Sequence, residues 1–256
     1  MVRGINKFKE KFGQLTDNYV IIGGVACEIH EVINAQEPRA TKDIDIILIV
    51  EALSVNFVEK FWDFIGEGGY SDRQTGESRG EPKHQYYRFA NPAKDDYPVQ
   101  IELFSRNIGI IKEPKDFHIT PIPVGEDLSS LSAILMDDDY YYYTIKNSLV
   151  EDNVHIANIN SLILLKCKAY LEMSIGKVAT DSKHIRKHRN DIFRLGAMLS
   201  LDSEFIVPQK LKEDITQFCE IVSADIPDDN LFKSAKIKGV NPKTVLELIE
   251  KAFVSE

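Results

Sequence analysis

The chain has 256 residues, 43% apolar and 28% charged, with a formal net charge of −9. That length suits two modest domains, or one with a helical extension, and the apolar share excludes wholesale disorder. The acidic balance argues against a protein that grips nucleic acid through a broad basic surface, though not against a local basic patch or a nucleic-acid end visiting an active site. No apolar segment follows the first basic residues and no run approaches the length of a membrane span, so a soluble cytoplasmic protein with no membrane association is expected. Cys27, Cys167 and Cys219 are far apart and lack paired spacing. They read as small buried hydrophobes in a reducing compartment rather than a zinc site or a disulfide framework.

In chain order, residues 4–16 carry Ile5, Phe8, Phe12 and Leu15 at helical spacing. Tyr19–Ile22 is a short β-branched run that predicts a strand ending in a tight turn at Gly23-Gly24, with a helix over Val25–Ile33. A polar loop at 34–42 leads to Asp43–Val50, Ile-rich and too short for a typical helix, hence a buried strand. Val55–Ile65 returns to helical spacing, and the glycine-rich stretch 66–84 reads as a long turn or loop. His84–Ala90 and Val99–Ser105 are strand-like, 118–124 adds an extended piece, and the tyrosine-rich tract 137–147 reads as a further strand. From about residue 158 the pattern turns helical: Ile159–Met173, with Asn158 or Asn160 as cap, then His184–Leu199, Pro208–Val222 and Pro242–Phe253. A soft boundary near 150 is expected, with a mixed core at 1–150 and a helical region at 151–256.

The chemistry concentrates at Asp43 and Asp45. Strand residues two apart face the same way, so these carboxylates project together while Ile44, Ile46 and Leu48 fill the other side. Such a pair repels itself unless a cation or a proton intervenes. Mg²⁺ prefers hard oxygen ligands and commonly keeps one or two carboxylates plus substrate phosphate. Glu102 alternates with Ile101 and Leu103 on a later strand and is the choice for a third ligand. Gly23-Gly24 lets the backbone approach a phosphate at a helix start. Against this, an isolated Asp-x-Asp is often a turn or a solvated edge, and Lys166 alone reads as a surface lysine lying along apolar neighbours. The basic run Lys183, His184, Arg186, Lys187, His188 and Arg189 reads as a solvated helix start, and His84, His118 and His155 share no metal-ligand spacing.

The order VIIGGVACEIH then RATKDIDIILI resembles the core motif of the DNA polymerase β-like nucleotidyltransferase superfamily: diglycine after a strand, Asp-x-Asp, then a third acid. Glycine stands at position 24, where many members carry serine. Within that superfamily the chain looks most like the AbiEii-type toxin nucleotidyltransferases of bacteria. Arg39 and Thr41 match residues before their Asp-x-Asp, Leu162, Lys166 and Ala169 match a helical motif, and Asp191 in KHRNDIFRL matches a later acid.

The resemblance implies an α+β nucleotidyltransferase fold, a mixed sheet flanked by helices and followed by a helical C-terminal region. It implies Mg²⁺ or Mn²⁺ on Asp43, Asp45 and Glu102, with nucleotide held by Gly23, Gly24, Arg39, Thr41 and either Lys166 or Lys168. It further implies transfer of a nucleoside monophosphate from a nucleoside triphosphate to an acceptor hydroxyl on RNA, protein or a small molecule, by the toxin half of a toxin–antitoxin pair with an antitoxin partner. Two rivals stay open: an inactive protein of the same fold that binds nucleotide or a partner protein, and a metal-dependent phosphohydrolase.

Overall fold

The computed structural model describes residues 2–77, 85–106, 111, 120–121, 134, 137–175 and 181–254. They fold into two compact units that interleave in sequence, one of Met1–Ala26, Ala40–Met136 and Ser148–Ala157, the other of Cys27–Arg39, Asp137–Asn147 and Asn158–Glu256. A single cut near residue 150 does not separate them, because Cys27–Arg39 and Asp137–Asn147, which precede it, belong with the second unit. No helix among the described residues is long and apolar enough to cross a membrane.

The first unit is an eight-stranded mixed sheet. Its strands are β1 (Tyr19–Ile22), β2 (Asp43–Leu48), β3 (Asp72–Glu77), β4 (Gln85–Ala90), β5 (Gln100–Ser105), β6 (Thr120–Pro121), β7 (Ser148–Glu151) and β8 (Val154–Ala157). They lie in the order β6-β3-β4-β5-β2-β1-β8-β7. The β1–β8, β2–β5 and β3–β6 pairs are parallel and the others antiparallel.

Strand alternation divides the sheet into two unlike faces. One face carries Tyr19, Ile44, Ile46, Leu48, Tyr87, Phe89, Ile101 and Leu103, all buried. It packs beneath α1 (Ile5–Phe12) and α3 (Val55–Gly68) through an aromatic cluster. Phe8 meets Tyr19 edge-on with centroids 5.4 Å apart, and Phe61 meets Phe89 at 5.7 Å. Burying these rings drives the unit together, at roughly 25 cal/mol per Å² of apolar surface removed from water. The other face carries Asp43, Asp45 and Glu102.

The second unit is helical. It contains the later part of α2 (Gly23–Ile33), then α4 (Asp138–Lys146), α5 (Ile159–Ile175), α6 (Ser182–Gly196), α7 (Gln209–Ser223), α8 (Asn230–Ser234) and α9 (Pro242–Val254). Its core is apolar, with Leu162, Leu165, Ile192, Phe193, Phe218, Val245 and Ile249 all buried.

Three local expectations are corrected. The chain bends from β1 into α2 at Gly23, whose φ is 65°, and the helix starts there rather than at Val25. The tract 137–147 is a helix, not a strand: Asp137 accepts from the Asp139 amide, and Tyr140, Tyr141, Tyr143 and Thr144 are buried at helical spacing. The stretch read as a loop over 66–84 contains the end of α3 and the strand Asp72–Glu77, while 78–84 lie outside the described residues. The hairpin β7–β8 was not foreseen. Of the extended piece expected at 118–124, Thr120–Pro121 is a strand and the rest lies outside the described residues.

Candidate active site

The acids are brought together by register. Asp45 stands opposite Glu102 across the parallel β2–β5 pair, and Asp43 stands opposite Gln100. On the far side of β5, Glu102 faces Arg88 of β4; on the near side of β2, Asp45 faces Ile22, the last residue of β1. One row therefore crosses the sheet as Ile22, Asp45, Glu102, Arg88. Asp45 is 9% exposed and Glu102 5%, so like charges sit side by side with little water between them.

Glu102 is held from β4 and from its own strand. Arg88 Nε donates to Glu102 Oε1 at 3.1 Å, and Gln100 Nε2 donates to the same oxygen at 3.0 Å. Arg88 Nε also donates to the Tyr86 hydroxyl at 3.0 Å. Burial first, and the neighbouring Glu102 carboxylate second, push the Tyr86 phenol far above its ordinary range. Arg88, Gln100 and Tyr86 were not singled out from sequence. Their only signal was parity: Tyr86 and Arg88 alternate with the buried Tyr87 and Phe89.

The diglycine borders the acids. Gly23 has φ of 65°, and a Cβ there would lie 1.9 Å from Asp45 Oδ2; a Cβ on Gly24 would lie 2.3 Å from Thr41 Oγ1. Only side-chain-free residues let the first turn of α2 come this close to the Asp45 carboxylate and the Thr41 hydroxyl. Those first-turn amides lack helical partners and favour anions.

The donor set suits a hard cation: carboxylate oxygens of Asp43, Asp45 and Glu102 on one face of adjacent strands, with the diglycine start of α2 closely approaching Asp45. The side chains are not gathered into a finished cage. Among the described residues, no group of three or more His, Cys, Asp or Glu side chains is arranged to hold a metal ion.

The remaining expected residues lie in the helical unit. Arg39 donates from Nε to Asp191 Oδ1 at 3.0 Å and from Nη2 to Oδ2 at 3.3 Å, and Lys166 Nζ donates to Asp191 Oδ2 at 2.8 Å. Lys166 is buried, not a surface lysine. Burial alone would depress its ammonium, but Asp191 outweighs burial and holds it above its ordinary value. Burial would likewise raise Asp191, and Lys166 and Arg39 together hold it down at about 2. Glu31 extends the network, accepting from Arg194 Nε at 2.6 Å and from the Arg39 amide at 3.1 Å. Lys168 points elsewhere, to Asp214 Oδ1 at 3.1 Å, whose other oxygen accepts from the Tyr140 hydroxyl at 2.7 Å. Of the two lysines, Lys166 is the one that joins Arg39 and Asp191.

In the basic run, Lys183, His184, Arg186 and Lys187 are exposed, while Arg189 binds Asp225. His155 is taken up structurally by Ser148 Oγ at 2.7 Å and the Thr16 carbonyl at 2.9 Å. His84 and His118 lie outside the described residues. The three cysteines are free and buried.

No protein family matches the chain. No curated protein matches it either. Among solved structures it is similar to the crystal structure of the Megavirus polyadenylate synthase, with a TM-score of 0.41 and 12% identity over 86% of this chain. The chain spans 37% of the length of that protein.

Proposed function

We propose that the chain is a divalent-metal-dependent nucleotidyltransferase, moving a nucleoside monophosphate from a nucleoside triphosphate to an acceptor hydroxyl. The observation that carries this reading is the register that sets Asp45 against Glu102 on parallel neighbours, with Gly23 abutting the Asp45 carboxylate. Asp43, Asp45 and Glu102 would hold Mg²⁺ or Mn²⁺, with substrate phosphate and water completing a shell that Mg²⁺ seldom takes from protein alone. When bound, the metal supplies positive charge to the attacking and leaving oxygens of an in-line displacement. The first turn of α2 offers amides to a phosphate, and Thr41 lies beside Gly24. The acceptor hydroxyl releases its proton to solvent and its oxygen bonds to the α-phosphorus, while the bond from that phosphorus to the α,β-bridging oxygen breaks and pyrophosphate leaves. The nucleotide roles of Arg39, Lys166 and Lys168, and the toxin–antitoxin setting with its antitoxin partner, rest on the sequence resemblance alone and belong to the same proposal.

A second reading is a protein that binds nucleotide without turning it over. It is favoured by the Glu102 carboxylate being already engaged by Arg88 and Gln100. Incubation with each α-labelled triphosphate, Mg²⁺ and cellular RNA or protein separates the two. Transfer of label to an acceptor, lost in the Asp43→Asn, Asp45→Asn double variant, supports the enzyme. Triphosphate binding with no labelled acceptor supports the second reading. Free monophosphate alone indicates a phosphohydrolase. Transfer that persists in the double variant removes these acids from the chemistry.

A further inference from the structure

We infer that Arg88 is a built-in counter-cation of the acid row, a positioning residue that steadies Asp45 and Glu102 while no metal is present and weakens metal binding by its own charge. This rests on the metal-site reading above and adds to it a residue outside the ligand set.

Two nearly buried carboxylates on directly opposed residues repel each other, and their strands are held at about 4.8 Å by the sheet ladder and cannot part. A positive charge on the same row lowers the cost of that repulsion in the metal-free chain. Arg88 faces Glu102 from the opposite strand, its Nε is 3.1 Å from Oε1, and its side chain is 22% exposed against 7% for Glu102. The guanidinium does not lose its proton at any pH the protein meets, so the charge is permanent. Both Arg88 and Gln100 bond the same oxygen, Oε1. The second carboxylate oxygen receives neither of these bonds and stays available as a ligand atom.

A fixed positive charge in that place opposes an arriving divalent cation. The two effects separate on mutation. Losing Arg88 exposes the acids to their own repulsion without metal, and removes a repulsive charge from the site with metal.

The test is Mn²⁺ titration followed by calorimetry and electron paramagnetic resonance, with thermal unfolding measured with and without saturating Mn²⁺. It compares the wild-type chain with Arg88→Met, Arg88→Lys and Asp45→Asn. Arg88→Gln, which keeps a donor for Glu102 but no charge, takes the place of Arg88→Met if that variant does not fold. The expected result is Mn²⁺ binding at least roughly tenfold tighter in the uncharged variant, a lower metal-free Tm, and a larger rise in Tm on adding Mn²⁺ than in wild type. Arg88→Lys retains near wild-type affinity. Unchanged or weaker Mn²⁺ binding in Arg88→Met or Arg88→Gln, with wild-type binding still abolished by Asp45→Asn, overturns the counter-cation role and leaves the metal site standing. Absence of Mn²⁺ binding in every form, or binding that Asp45→Asn does not touch, overturns both.

Discussion

An alanine at position 23 sets a methyl carbon 1.9 Å from Asp45 Oδ2 and asks a non-glycine residue to hold φ of 65°. The left-handed backbone alone costs about 1–2 kcal/mol. The clash must be relieved by moving either the first turn of α2 or the Asp45 carboxylate. Gly23→Ala is therefore expected to lower stability by about 2–3 kcal/mol in urea unfolding and to impair the proposed metal binding together with it. A variant that loses stability but binds Mn²⁺ like wild type would show that the close approach serves packing only. The acids themselves were legible because a strand has a period of two: parity puts Asp43 with Asp45, and Glu102 on the polar side of its strand. Arg88 was not legible, since its place opposite Glu102 depends on how β4 registers against β5. Lys166 misled for a different reason. A lysine stem along apolar neighbours looks the same in sequence whether its ammonium reaches water or, as here, a buried Asp191 on another helix.

The hairpin β7–β8 turns through Asp152 and Asn153, both at positive φ, 47° and 60°. Two successive left-handed residues make the tight turn whose twist matches paired strands, and Asp and Asn tolerate it better than other side chains. Asn153→Val, β-branched at a left-handed position, should cost about 1–2 kcal/mol, while Asn153→Gly should be neutral or stabilising; thermal unfolding of the pair checks this. The signal was present as Asp-Asn between Val150 and Val154, but was hidden by the expected boundary at the same place. The helix α4 failed to be read for a propensity reason. Four tyrosines favour a strand in isolation. An Asp cap, two acids in the first turn and Lys146 in the last favour a helix, and they agree with the burial pattern. The strand β3, with sequence DRQTGE, has no apolar alternation at all and is fixed by its antiparallel register with β4 rather than by its own residues. Strands β1, β2 and β5, whose apolar residues feed the aromatic face, were legible to within a residue or two.

At the scale of the molecule, the burial of charge in the helical unit sets how it responds to acid. His188 on α6 is half-buried, and its Nδ1 finds no hydrogen-bond partner among the described residues. Burial, and after it the Lys166 ammonium, hold its imidazole down at about 3, with Lys187 and His184 acting the same way against the pull of Asp191. An unfolded chain takes up a proton at this residue near pH 6.5, whereas the folded chain does so only near 3. The unfolded state thus binds more protons throughout that interval. His188 contributes stability that is fully present above pH 6.5 and is lost as pH falls toward 3, by at most a few kcal/mol. Asp191 adds a separate acid loss, since its folded value is lowered from 3.8 to about 2: its contribution is present above pH 4 and disappears only below. The two groups act in different windows, which makes them distinguishable. Urea midpoints measured from pH 7.5 to 4 should fall steadily in the wild-type chain, and His188→Gln should flatten that fall while leaving the steeper loss below pH 4. Asp191→Asn should do neither in the upper window, because its carboxylate is already ionised there. It should instead destabilise at all pH values above 4 by leaving Lys166 buried without its counter-charge, a loss of about 3–5 kcal/mol. A wild-type midpoint that is constant between pH 7.5 and 4 would mean that His188 reaches water in the native fold.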